Sequence, residues 1–144
     1  MFKVLRQKSV RDEWLVAVVA MLVGIYSQLP ALTNPYMIGG DFRGTFYWIR
    51  QFHDNTLFPN DFLTEHFRYF QPWGVVAIYY VLSFLIDPLV ISKILPIFLL
   101  ALSSFYLFKL VRHFANPYGG FLAVVLFMTS FTYLDRIAGG VAGS

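Results

Sequence analysis

An acid and two arginines follow the first long uncharged run of the chain, where they could take part in chemistry. Asp41 ends the run, and Arg43 and Arg50 come shortly after it. A carboxylate can act as a general base or bind a metal ion, and a guanidinium can bind two phosphate oxygens at once. A second acid and arginine, Asp135 and Arg136, follow the last apolar run. These residue types suit the activation of a nucleophile beside a phosphate leaving group.

The composition around these residues predicts an all-α integral membrane protein. Of the 144 residues, 58% are hydrophobic, 19% aromatic and only 13% charged. A soluble chain with this composition would carry large exposed apolar patches, so the soluble, disordered and fibrous classes are disfavoured. The chain has no cysteine, which excludes disulfide frameworks and thiolate chemistry.

Positive charge is concentrated at the start of the chain. Four of its eleven Lys and Arg residues lie in the first eleven positions, just before an uncharged run that begins at Trp14. This bias marks the cytoplasmic side of a membrane helix. The run lacks a small-residue cleavage site and is long for a signal peptide. We therefore expect a retained helix in the plasma (inner) membrane with a cytoplasmic N-terminus, membrane lipids as partners, and no nucleic-acid partner.

The charged residues divide the chain into alternating membrane and aqueous segments. Three segments are predicted to be transmembrane helices, namely residues 14–32, 89–108 and 118–134. The remaining segments are a cytoplasmic N-terminus (1–13), an outer loop with juxtamembrane helices (33–88), a cytoplasmic loop (109–117) and an outer segment (135–144).

Residues 73–86 leave two topologies open. If this apolar stretch crosses the membrane, the chain has four spans, and Lys109 and Arg112 fall outside, against the positive-inside rule. If it stays on the outer side as an interfacial or re-entrant helix, the chain has three spans and both residues are cytoplasmic. The charge bias favours three spans, with four as the alternative.

Within the outer loop, residues 42–54 predict a helix lying in the headgroup layer. Its apolar stripe follows helical spacing and consists of Phe42, Phe46, Ile49 and His53. Aromatic residues mixed with arginine are typical of a membrane interface. The sequence LFPND at 57–61 ends this helix, because proline cannot continue it and Asn-Asp favours a turn.

In this order of features, the chain resembles the N-terminal part of a GT-C type integral-membrane glycosyltransferase. That superfamily includes oligosaccharyltransferase catalytic subunits, protein O-mannosyltransferases and aminoarabinose transferases. The stretch GGDFRGTFYWIRQFHDNTLFPND is similar to the first outer loop of the family. Asp41 stands in the place of the first family acid, with Tyr47 and Arg50 along the helix after it. The tail TSFTYLDRIAGGVAGS is similar to the approach to the second acidic motif, although the acid expected further on is absent.

The resemblance implies transfer of a sugar from a polyprenyl-phosphate-linked donor at the outer membrane face. It implies that Asp41 is the catalytic residue and the ligand of any metal, with a divalent cation, Mg²⁺ or Mn²⁺, as the candidate cofactor. The implied substrate-binding residues are Arg43, Tyr47, Arg50, Asp135 and Arg136. Family members usually have many more helices, so the chain resembles an N-terminal piece or a reduced relative. The alternative is a noncatalytic small membrane subunit or lipid-binding scaffold, in which Asp41 only caps a helix.

Overall fold

The computed structural model describes the backbone of residues 2–38 and 42–130, and the side chains from Val10 onward within those ranges. Every regular element in the described ranges is helical, which confirms the all-α prediction. There are five α-helices: α1 (Phe2–Thr33), α2 (Phe62–Phe70), α3 (Trp73–Ser83), α4 (Pro88–Phe114) and α5 (Pro117–Thr129). A π-helical turn (Phe42–Phe46) and a 3-10 helix (Tyr47–Phe52) lie between α1 and α2. We call these two short elements together the aromatic segment (42–52).

Two of the helices, α1 and α4, are long and apolar enough to cross a bilayer. An α-helix rises about 1.5 Å per residue, so about 20 apolar residues cover the hydrocarbon core of about 30 Å. Both exceed that length, with 24 residues in the apolar part of α1 and 27 in α4. By length and composition these two helices suit a membrane protein.

Both long helices extend past their apolar runs into segments that the sequence assigns to water. The helix α1 includes residues 2–13, which were predicted as a separate cytoplasmic N-terminus. The helix α4 continues to Phe114, which leaves only Ala115 and Asn116 between it and α5. Lysine, arginine and glutamine are good helix formers. In both extensions no glycine or proline interrupts the backbone, so α1 begins before its apolar run and α4 ends after its own.

The helix α5 is shorter than the predicted third span of 118–134. It has 13 residues and ends at Thr129, with Ser130 in an extended conformation. The hydroxyls of Thr129 and Ser130 donate to carbonyls of the last turn, at 2.9 Å in each case. Such bonds compete with further helical hydrogen bonding. Residues 131–134 lie outside the described part of the chain.

Small residues allow α1, α4 and α5 to pack closely as a three-helix unit. A Cβ atom added at Gly24 of α1 would lie 3.2 Å from the Ile97 side chain of α4. A Cβ atom at Gly120 of α5 would lie 2.9 Å from the ring of Phe108, also in α4. Close contacts at glycine are typical of helix pairs in membranes.

The direction of each helix follows from which residues meet. Gly24 contacts Ile97, while Val16, earlier in α1, shares a buried cluster with Phe108, later in α4. The two long helices are therefore antiparallel. The same buried cluster contains Val124, and Phe127 packs further along with Ala20 and Leu100. Thus α5 runs antiparallel to α4 and parallel to α1.

The chain between α1 and α4 forms a second packed unit, the connecting subdomain (residues 34–38 and 42–87). The residues of its core are buried or nearly so: Phe42, Trp48, Ile49, Tyr79 and, from the first turn of α4, Ile91. The Lys93 Nζ donates to the carbonyl oxygen of Asn34 at 3.0 Å. This bond joins the end of α1 to the first turns of α4, so the subdomain begins and ends at neighbouring points.

The aromatic segment differs from the single amphipathic α-helix that the sequence predicts. Phe42 and Ile49 are buried as the apolar stripe requires, but His53 is exposed. The switch from π to 3-10 hydrogen bonding changes the rotation per residue, and Trp48 joins the buried set with only 1% of its surface exposed. The main apolar side chains of this segment face protein, whereas a helix lying in the headgroup layer would present them to lipid.

Candidate functional site

Three of the residues predicted for the site lie on the aromatic segment. Arg43 and Arg50 are exposed, and Tyr47 is half-buried. The other three predicted residues lie outside the described part of the chain: Asp41, Asp135 and Arg136. The described geometry therefore concerns the arginines and the tyrosine that follow Asp41.

The two arginines have mainly free surfaces. Arg43 Nη2 donates to the carbonyl oxygen of Tyr36 at 3.4 Å, longer than the usual 2.7–3.2 Å range and therefore a weak bond. Arg50 adds positive charge near Asp54. The pKa of Asp54 is lowered first by hydrogen bonds from the Thr56 side chain and backbone, and then by Arg50. A guanidinium has five N–H donors, so each arginine keeps donors for a ligand beside these contacts.

Tyr47 has a structural partner that the sequence did not reveal. Its hydroxyl donates to Asp61 Oδ2 at 2.9 Å and accepts from Thr64 Oγ1 at 3.2 Å. Burial of the ring raises the pKa of Tyr47, and the adjacent Asp61 carboxylate raises it further. The hydroxyl therefore stays protonated and links the aromatic segment to α2.

Asp61 caps α2 and closes this network. Its carboxylate accepts from the backbone N–H groups of Leu63 and Thr64, each at 3.2 Å, and from Thr64 Oγ1 at 2.7 Å. The hydrogen bonds from Thr64 and Tyr47 hold the pKa of Asp61 below its ordinary value. A carboxylate stabilised in its charged form is a poor proton acceptor. The predicted turn at LFPND is confirmed, and the structure adds that its Asp61 carboxylate caps α2.

Arg68 is a further cation of this unit that the sequence reasoning did not select. Its guanidinium carbon lies 5.9 Å from the centre of the Trp48 ring, within the range of a cation–π contact. The Nε1 of Trp48 is buried without a hydrogen-bond partner among the described residues. In the sequence, Arg68 is the last residue of a stretch rich in charged residues, 41–68. Nothing in the sequence indicated its contact with Trp48.

A metal centre is not assembled by the described residues. No three His, Asp or Glu side chains within ranges 10–38 and 42–130 lie close enough together to hold an ion. Asp61, which is occupied by its capping bonds, and Glu65 of α2 both lie in the charged stretch without forming such a group.

The site thus consists of two exposed guanidiniums and a tyrosine network beside the end of a long apolar helix. Comparison with protein families, curated proteins and solved structures finds no match for this chain. The functional argument therefore rests on the residues and their placement.

Proposed function

We propose that this chain is a membrane glycosyltransferase, or the N-terminal part of one, that transfers a sugar from a polyprenyl-phosphate-linked donor at the outer membrane face. The observation that carries the proposal is the position of Arg43 and Arg50. Both are exposed on a segment that packs at one end of the α1–α4 pair. A lipid-linked phosphate has an apolar tail and an anionic head. A site that binds it therefore needs cations at the level where the apolar helices end.

Asp41 is the proposed base for the acceptor. It stands between Ile38 and Phe42 in the sequence, and both of these neighbours pack in the core of the connecting subdomain. A carboxylate there would accept the proton of the attacking hydroxyl. Where the reaction uses Mg²⁺ or Mn²⁺, Asp41 is the proposed ligand, since such ions commonly bind one or two carboxylates together with substrate phosphates.

The proposed topology has three spans with a cytoplasmic N-terminus in the plasma (inner) membrane. It is consistent with α3, whose 11 residues cover about 16 Å, roughly half of the hydrocarbon core. The 13 described helical residues of α5 cover about 20 Å, and the predicted third span continues to residue 134, beyond the described part of the chain. The three-span topology is supported by the alternating directions of α1, α4 and α5. That arrangement places Arg11, Lys109 and Arg112 at one end of the unit, the end that the positive-inside rule assigns to the cytoplasm.

Single-cysteine labelling tests this topology, because the chain has no cysteine to remove. Asn55→Cys lies in an exposed loop of the connecting subdomain, and His113→Cys lies exposed at the end of α4. A membrane-impermeant maleimide should label position 55 in intact cells and position 113 only after permeabilisation. The reverse pattern would contradict a cytoplasmic N-terminus, and labelling of both positions from outside would contradict the three-span arrangement.

Substitution of Asp41 tests the chemistry. Asp41→Asn keeps the shape but cannot accept a proton, so turnover with a lipid-linked sugar donor should fall by about 10²- to 10⁴-fold. Expression and membrane insertion should be unchanged. Asp61→Asn is the matched control, because its carboxylate is occupied by capping bonds, and its effect should be milder. Asp135→Asn should also be milder, since no second acid follows it.

The second candidate function is that of a noncatalytic membrane subunit or lipid-binding scaffold. The observation that favours it is the Tyr47 hydroxyl, which the resemblance assigns to substrate and which instead bonds Asp61 and Thr64. A change below about threefold for Asp41→Asn, measured with a donor shown to be a substrate, would contradict the catalytic role. The noncatalytic function would then be preferred.

A further inference from the structure

The helix α3 is apolar on all sides although one side faces away from the protein. Its inward residues, including Val75, Val76 and Tyr79, pack in the core of the connecting subdomain. Its outward residues follow helical spacing, and we call them the outward face: Trp73, Ala77, Val81 and Phe84. Three of these are strongly exposed, at 86% for Trp73, 62% for Val81 and 73% for Phe84. Such a surface is unfavourable in water.

The charged residues before and after α3 in the sequence constrain where this helix can lie relative to the membrane surface. No charged residue occurs between Arg68, five residues before α3 begins, and Asp87, four residues after it ends. With 11 residues the helix is about 16 Å long, too short to carry its two ends to opposite sides of a bilayer. Both ends must therefore reach polar surroundings on the same side, and a helix lying along the membrane surface satisfies this requirement.

The helix α3 packs against the start of a helix of spanning length. Tyr79 of α3 shares its buried cluster with Ile91 in the first turn of α4. Further along α4, Phe98 and Leu102 are more than half exposed, as expected for residues that face lipid. Lipid around α4 would therefore reach α3 at the level where α4 begins.

The residue types at the end of α2 and the start of α3 also match a membrane interface. Tyr69 and Trp73 are exposed at 88% and 86%, and these two residue types concentrate where hydrocarbon meets headgroups. The aromatic segment, by contrast, buries Phe42, Trp48 and Ile49 inside the protein. Of the two segments that the sequence analysis placed at the interface, α3 is therefore the one whose exposed side chains suit contact with lipid, and the aromatic segment is not.

We infer that α3 lies in the bilayer interface on the side of the connecting subdomain, with its outward face in contact with lipid acyl chains. This contact attaches the connecting subdomain to the membrane in addition to its links to α1 and α4. It therefore sets the distance of the subdomain from the bilayer. The inference is independent of the proposed glycosyltransferase activity, because it rests on the exposed apolar residues of α3 and the absence of charge along it.

Spin labels at single cysteines test the inference in the full chain reconstituted into phosphatidylcholine vesicles. Val81→Cys and Phe84→Cys place the label on the outward face, and both positions are exposed, so folding should be unaffected. Asn55→Cys is the matched control in an exposed polar loop. Relaxation by oxygen, which concentrates in lipid, is compared with relaxation by a water-soluble nickel chelate.

Labels at positions 81 and 84 should be relaxed more by oxygen than by the nickel chelate, and the label at position 55 should show the opposite order. Equal access of the nickel chelate to positions 55, 81 and 84 would overturn the inference, since the outward face would then lie in water. Immobilised labels protected from both reagents at 81 and 84 would also overturn it, because protein would then cover the face. A loss of activity in the Asp41→Asn variant would leave these results unchanged.

Discussion

The contact between Gly120 and Phe108 makes a quantitative prediction about the three-helix unit. In Gly120→Ala the new Cβ would lie 2.9 Å from two ring carbons of Phe108 and 3.3 Å from its carbonyl oxygen. The ring is fully buried, and the carbonyl belongs to the backbone of α4, so rotation of the ring alone cannot relieve the contact. The helices α4 and α5 must move apart.

The expected magnitude combines two opposing effects. Overpacking of this kind costs about 1–3 kcal/mol. Alanine is favoured over glycine in a helix by about 0.5–1 kcal/mol. The net destabilisation should therefore lie between about 0 and 2.5 kcal/mol, with a midpoint near 1 kcal/mol, which corresponds to a roughly 5-fold loss in the folded-to-unfolded ratio.

The assay is the loss of helical circular dichroism as dodecyl sulfate is added to the protein in a mild detergent. The matched control is Gly74→Ala, because a Cβ at Gly74 in α3 would meet no atom within 4 Å. Its transition should stay where it is or move toward higher dodecyl sulfate. A Gly120→Ala transition at or above that of the original protein would refute the packing argument.

A double variant separates this contact from other effects of the alanine. Phe108→Leu removes the ring atoms that the new methyl meets, although it also leaves a cavity beside Val16 and Val124. The cost of Gly120→Ala should be smaller in the Phe108→Leu background, because neighbouring substitutions are not additive. Equal costs in both backgrounds would show that the ring is not the obstacle.

Two further predictions concern the network around Asp61. Tyr47→Phe removes one hydrogen bond to Asp61, and we expect hydrogen exchange of the Leu63 and Thr64 amides to accelerate on the order of 2- to 10-fold. The control is Tyr69→Phe, on the exposed side of α2, which should leave the exchange of these amides unchanged. The pKa of Asp61 is lower in the folded protein than its ordinary value of 3.8, so the ionised carboxylate stabilises the fold at pH values above 3.8. This stabilisation is lost as the pH falls through the lowered pKa. Exchange of the same amides, normalised to their intrinsic rates, should therefore accelerate below about pH 4 in the original protein and less so in Asp61→Asn.

The elements of the fold that depend on local sequence could be predicted well. The apolar runs indicated α1 and α4, and α4 begins at Pro88, one residue before the predicted span of 89–108, where Asp87 caps the helix through the Leu89 N–H at 2.7 Å. The turn at LFPND was also correct. These features follow from hydrophobicity, proline geometry and capping, each of which acts over a few neighbouring residues.

The parts that could not be predicted depend on contacts between distant residues. Tyr47 bonds Asp61, 14 positions away, and Lys93 bonds Asn34, 59 positions away. Helical periodicity in the aromatic segment gave no sign that π and 3-10 turns would replace an α-helix. The packing partners Tyr79 and Ile91 decide which side chains face inward, and such pairing becomes visible only in three dimensions. The roles of Asp41, Asp135 and Arg136 remain predictions.

The bond between Lys93 and Asn34 has a consequence for how this protein can change in evolution. Together with the packing of α1 against α4, it holds the two ends of the connecting subdomain near each other, so the pairing of these helices depends little on the length of chain between them. The closure entropy of a flexible loop grows slowly, by about 0.6 kcal/mol for each doubling of its length. Insertions at the exposed turn around Asn55 can therefore add new surface without shifting α1 against α4, and variation among relatives should collect there.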